Sequence, residues 1–282
     1  MFSLIAIVIL SGFLLGQKTG SISAVSSKND AYSPLKPIDA KSDLKDVLRL
    51  MLNSNKKWES IIAEGVSRID TGDHYFLRLE VIQQTQKGPY FVRAETGEND
   101  PTRPFVMIND GKKSWIMEKK LKIYNTLPFP SAGEPPEDLP TDNSPSNAIV
   151  PHPLELSVRS QLVSLIFPQG FAQQIALGLK EGKASIIGTD TVANRTTIVL
   201  QFDQDWASRH KIWIDRETGV ILKQELFDKS GIENGLWYQQ IEITGISLNS
   251  TKDKGQFSES VEEYSEVPGE NFDKAVFEKK NK

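Results

Sequence analysis

The chain has 282 residues, 38% of them hydrophobic and 25% charged, with a formal net charge of -4 and a pI near 5.6; this is an ordinary globular composition, enough for one large domain or two small ones. Lysine and arginine are scattered among aspartate and glutamate and form no basic stripe, which argues against a nucleic-acid partner. The absence of cysteine excludes disulfides, thiolate metal sites, a cysteine nucleophile and a lipid-modified N-terminal cysteine, and three histidines in separate contexts, His74, His152 and His210, give no basis for a metal site.

Residues 4–16 (LIAIVILSGFLLG) are an uncharged apolar run, shorter than the roughly 20 residues of a membrane span and of the size of a signal-peptide core. Ser21, Ser23 and Ala24 follow where a signal peptidase could cut, although no lysine or arginine precedes the run. Residues 1–24 are therefore read as a signal peptide or N-terminal anchor, which places the protein outside the cytoplasm, in the periplasm or cell envelope. Residues 25–41, rich in Ser, Asn, Asp and Pro, read as a flexible linker.

Ser42 can cap a helix in which Leu44, Val47, Leu48, Met51 and Leu52 form one apolar stripe. Beyond Trp58 the period changes to two. YFLRLEVI, residues 75–82, sets Tyr75, Leu77, Leu79 and Val81 on one face and Phe76, Arg78, Glu80 and Ile82 on the other. Further strands are expected at residues 90–95, 105–108, 114–118 and 122–126, with Asp110-Gly111 as a hairpin signal. Residues 128–153 carry eight of the fifteen prolines and cannot supply enough backbone donors for a sheet, so they read as a long surface loop.

Leu154, Val158, Leu162, Leu165 and Ile166 lie on one helical face, and residues 171–179 offer a second, shorter helix after Pro168. Strands resume at residues 184–189, 196–203, 211–214, 220–227 and 237–248. The last segment, 251–282, reads as a charged tail in which Phe272, Val276 and Phe277 suggest one docking contact.

Asp70-Thr71-Gly72 matches the aspartic-protease tripeptide, but that chemistry needs two buried carboxylates sharing a proton, whereas Asp73 and His74 make this a polar turn between strands ending at Ile69 and starting at Tyr75. No G-x-S-x-G, Walker or dinucleotide-binding glycine pattern occurs. Asp215, Glu217, Asp228 and Glu233 lack the alternation of a calcium loop. They read as bends between strands, with Gly219 and Gly231 supplying positive φ. Trp58, Trp115, Trp213 and Trp237 fall on expected strands, either in a sheet core or in the wall of an apolar ligand cavity.

The order GPYFVRAE, FVMINDGKKSWIM, a helical pair, then KIWIDRETGVILKQELFDKSG resembles the LolA/LolB-like superfamily of outer-membrane lipoprotein carriers and sorting proteins, with the RseB/MucB N-terminal-type domains. The likeness spans residues 42–248. It implies an α+β, mostly antiparallel fold over residues 42–250, an incomplete, half-open β-barrel of about eleven strands, with helices as a lid over an apolar cavity. It further implies a non-enzymatic, cofactor-free protein holding lipid or lipoprotein acyl chains for transport or sorting in the envelope. The alternative is an envelope-stress sensor of the RseB/MucB type binding a membrane protein. Cavity candidates on this reading are Trp58, Leu77, Leu79, Tyr90, Val92, Trp115, Leu162, Phe167, Trp213 and Leu222, and Arg93 is placed to hold a lid loop by hydrogen bonds.

Overall fold

The computed structural model describes residues 37–70, 75–85, 90–96, 105–109, 114–127, 160–178, 183–203, 208–249 and 262–278. The apolar run 4–16, the Pro-rich segment 128–153, Leu154 and Val158 lie outside them. Among the described residues no helix is long and apolar enough to cross a membrane, and no three His, Asp or Glu side chains are grouped to hold a metal ion.

Helix α1 (Leu44–Leu52) starts at Asp43, whose extended backbone and side-chain acceptor for the Lys45 N–H, at 2.8 Å, make it the N-cap in place of Ser42. Ser42 instead accepts from the Asp39 N–H. Of the expected stripe Val47, Leu48, Met51 and Leu52 are buried and Leu44 is half-buried, while Leu50, outside the stripe, is buried as well. The linker reading ends before Ile38, which is buried and donates its N–H to the Arg216 carbonyl at 2.9 Å.

A 3₁₀ turn (Ser54–Lys57) leads into a meander of β1 (Ser60–Asp70), β2 (Tyr75–Thr85), β3 (Tyr90–Thr96), β4 (Phe105–Asn109), β5 (Ser114–Glu118) and β6 (Ile123–Leu127). Helices α2 (Gln161–Ile166) and α3 (Gln169–Gly178) follow, then β7 (Ala184–Val192), β8 (Arg195–Asp203), β9 (Arg209–Asp215) and β10 (Ile221–Phe227), helix α4 (Lys229–Asn234), β11 (Gln239–Leu248), β12 (Ser265–Glu266) and helix α5 (Gly269–Glu278).

The strands form one mostly antiparallel sheet in the order β12-β6-β5-β4-β3-β2-β1-β11-β10-β9-β8-β7. Twelve strands are described where about eleven were expected; the addition at one edge is β12, which pairs in parallel with β6 through two residues. The segment read as a tail therefore carries a strand and a helix, with Phe272 buried. β1 joins the two meanders by pairing with β2 on one side and β11 on the other. Asp70 pairs with Tyr75, the hairpin geometry expected around the Asp-Thr-Gly tripeptide.

The acidic clusters resolve differently from each other. Asp215 is a turn organiser: its carboxylate accepts from the Glu217 and Thr218 N–H groups at 3.0 and 2.8 Å, from the Thr218 hydroxyl and from the Arg195 guanidinium. Gly219 has φ 76°, as expected. Gly231 does not share that role, because the second cluster is a helix and not a bend. Asp228 caps α4 by accepting from the Gly231 N–H at 2.6 Å, and the left-handed residue is Gly235, φ 73°, at its C-terminus. Trp58 and Trp237 also fall outside strands, before β1 and β11 respectively.

Candidate functional site

Alternation along the strands divides the sheet into two faces. Ile61 and Ala63 of β1, Ile82 of β2, Leu222 of β10, Ile212 of β9, Leu200 of β8 and Ile241 and Ile243 of β11 share one face by register and are all buried. The helices cover this inner face. α2 lies across β10, β11, β1 and β2, and α3 packs against α1. Leu162, Val163, Leu165 and Ile166 of α2 and Ala172 and Ile175 of α3 are buried to 0–1% exposure, so the apolar face is filled by its helices.

Two features seat α2. A Cβ at Gly65 would stand 2.6 Å from the Leu162 side chain and 2.6 Å from the Glu242 carbonyl, so the missing side chain makes the notch that receives Leu162. The second is polar. Glu80, 2% exposed, accepts from the Ser160 hydroxyl at 2.6 Å, the Gln161 N–H at 3.1 Å and the Leu162 N–H at 3.3 Å. The two N–H groups are donors that a helix start leaves without intrahelical partners, satisfied here from a different element. Arg78 stands 3.4 Å from the same carboxylate and 5.8 Å from the Phe105 ring centroid, and Gln239 donates to Gln161 at 3.0 Å.

Under α3 the inner face turns aromatic and polar. His210 stacks on Phe202 at 4.7 Å, Phe171 meets both rings edge-on at 6.4 Å, and the Gln224 amide lies 3.2 Å from His210 Nδ1.

The sequence candidates separate by face. Leu162, Phe167, Trp58 and Leu222 belong to the helix-covered layer, with Trp58 and Phe167 rings 5.7 Å apart. Leu77 and Leu79 do not: their face is the one where Arg68 meets Gln240 and Glu242, and Leu79 is 53% exposed. The inward face of β2 is instead that of Arg78, Glu80 and Ile82, because its charged pair is consumed by α2. Trp213 also lies on the outer face, where its indole donates to Asp190 at 3.0 Å and the Lys223 ammonium sits 4.4 Å from its ring centroid. The Thr191 N–H first, then that indole, hold the Asp190 carboxyl below its ordinary value.

Trp115 packs with the buried cluster of Val106, Ile108 and Met117, on the face opposite that of Ile82 and Met107. Tyr90, Val92 and Arg93 stand opposite Gln84, Ile82 and Val81 in the β2–β3 register; their side chains, and with them the lid bond expected of Arg93, lie outside the described residues. Glu80, Arg78, Ser160, Gln161 and Gln239 were not anticipated. Ser160 itself falls inside the helical run expected from Leu154 to Ile166, so its place at a helix start was not read from the sequence.

No family model matches the chain, and no curated protein matches it by sequence. Its fold is similar to solved structures at low identity. The complex structure of Pseudomonas aeruginosa MucA/MucB matches at 13% identity and a TM-score of 0.44, over 78% of this chain and 62% of that one, so the present chain spans under two thirds of its length. A LolA superfamily protein from Nitrosomonas europaea matches at 11% identity and a TM-score of 0.29, over 79% of this chain and 98% of that one. LprF from Mycobacterium bovis matches at 11% identity and a TM-score of 0.33, over 72% and 90%.

Proposed function

We propose that the protein is a non-enzymatic binder of lipid or lipoprotein acyl chains outside the cytoplasm, with the inner sheet face as the binding surface and α2 and α3 as its lid. The observation that carries this reading is how the lid is held. α2 has six residues, too short to persist alone, and it rests on a mainly apolar face through a notch at Gly65 and a set of hydrogen bonds to one carboxylate, Glu80. Such an attachment can be broken at one point. Displacing the helix opens Ile61, Ala63, Ile82, Ile241 and Ile243, which would accept methylenes at about 0.8 kcal/mol each. The motif order shared with the LolA/LolB-like proteins supports the same reading.

The test is to purify the full chain from membranes, extract it with organic solvent and identify what co-purifies by mass spectrometry, alongside displacement of a fluorescent fatty acid. Co-purifying acyl lipid and competitive displacement are expected. Absence of both overturns the reading, and recovery of a single membrane protein in a pull-down instead would favour the sensor role.

A further inference from the structure

The β6 edge carries a second feature that the inner face does not explain. On the outer side of β4 and β5, Val106, Ile108 and Met117 form a buried apolar cluster with Trp115 and Tyr124, and Tyr264 from the C-terminal segment lies over it. That segment joins β6 as the short parallel strand β12. Ser265 donates to the Lys122 carbonyl at 2.9 Å and Val267 to the Tyr124 carbonyl at 2.8 Å. Glu266 accepts from Thr126 at 2.8 Å, and the exposed pair Lys122–Glu263 is 3.5 Å apart.

Three observations mark this segment as an incomplete occupant. It pairs with two residues of the five-residue β6, so residues 125–127 have no strand partner on that side among the described residues. The Trp115 indole Nε1 is buried beside the cluster and reaches no acceptor among the described residues, a costly state for a donor. The charges are complementary: the β5–β6 turn carries Lys119, Lys120 and Lys122, while the segment offers Glu262, Glu263 and Glu266 around Tyr264.

We propose that the β6 edge with its basic turn is a docking surface for an acidic, aromatic-bearing extended segment of a partner protein, which adds as a parallel strand, and that residues 262–268 are a resident strap the partner displaces. Strand addition supplies the affinity through main-chain hydrogen bonds, and the aromatic side chain and the lysines supply the selection. An intramolecular strap competes at an effective concentration in the millimolar range for a short tether. A partner strand that pairs along the whole of β6 makes contacts the strap lacks and so can replace it. This inference is independent of the lipid-binding reading.

The test uses the full chain and a fluorescein-labelled peptide, EEYSEVTVT, followed by anisotropy. Ser265→Pro removes the N–H given to Lys122 at an exposed position, and Tyr264→Ala loosens the strap independently; circular dichroism checks that both variants keep the native spectrum. The peptide is expected to bind each loosened variant at least about tenfold more tightly than the unaltered chain. The charge-reversed peptide KKYSKVTVT should not bind, and Lys122→Glu in the loosened chain should weaken binding of the acidic peptide. Equal affinity for the loosened and unaltered chains, equal binding of the two peptides, or a concentration-dependent dimer that excludes the peptide would each overturn the proposal.

Discussion

At Gly219 two constraints coincide. Its φ of 76° is left-handed, and a Cβ there would stand 2.6 Å from the Leu50 carbonyl oxygen and 2.9 Å from the Met51 nitrogen. The backbone of α1 is thus seated directly on the β9–β10 turn, and neither obstacle is a flexible side chain. The φ alone costs a residue with a Cβ roughly 1–2 kcal/mol, and the backbone overlap adds to it. Gly219→Ala is therefore expected to destabilise the fold by more than about 2 kcal/mol, and Gly219→Val by more again because its β-branch crowds the same backbone. Urea midpoints at constant m-value provide the measurement. Asp190 gives a milder, pH-linked effect. Its folded-state pKa is lowered, so the native state binds fewer protons than the unfolded chain as the pH falls through the carboxylate range. The stability it contributes is present above the unfolded value of about 3.9 and is lost on further acidification through the lowered one. Asp190→Asn should flatten the acid limb of the stability profile below about pH 4 while leaving the profile near pH 7 parallel to that of the unaltered chain; an unchanged acid limb would contradict the assignment.

At the level of elements, α2 depends on Glu80 more than on its own sequence. Removing the carboxylate leaves the Ser160 hydroxyl and two helix-start N–H groups without an acceptor and takes an anionic partner from the buried Arg78 guanidinium. Glu80→Ala should cost roughly 3 kcal/mol, and hydrogen exchange should speed up first in α2, since the strands beneath keep their ladder. Glu80→Gln retains an acceptor oxygen and should lose less. This latch was the part of the molecule least legible in the sequence. Period two located β2, but the alternation of YFLRLEVI assigns the leucines inward and the charges to water, and the structure reverses it. The reversal rests on Ser160, 80 positions away along the chain, and local patterning holds no trace of such a partner. Elements whose burial is apolar were readable: the α1 stripe, Leu162 and Leu222 all face the layer their pattern implies. Aromatic residues misled in the opposite sense, because the Lys223 ammonium lies over Trp213 on the outer face and amphipathic cover of this kind looks like exposure in sequence.

For the molecule as a whole, the sheet order explains why the apolar face needs a cover. β1 sits centrally, between β2 and β11, so the two meanders spread outward from it to edges at β7 and β12, which do not pair with each other among the described residues. An open sheet of this width must cover its apolar face with something else, and here the covering is α1, α2 and α3. If acyl chains take the place of α2 and α3 on that face, their affinity comes from desolvation and carries no charge-dependent term. Extending a fatty acyl ligand from twelve to sixteen carbons then adds four methylenes, about 3 kcal/mol, which is more than a hundredfold in Kd. Full burial of the added carbons sets that upper figure; a slope near zero would mean that the chain projects into water. Raising the salt from 0.05 to 0.5 M, estimated to shorten the screening length from roughly 14 to 4 Å, should leave the Kd of a neutral acyl ester unchanged. Glu80→Gln should speed its association by weakening the latch while leaving the chain-length slope intact, because the apolar residues of that face, Ile61, Ala63, Ile82, Ile241 and Ile243, are unchanged. Stopped-flow fluorescence with a homologous series of acyl esters measures slope and association rate together. A salt-sensitive affinity with no chain-length dependence would place recognition on a polar headgroup and not on the inner face.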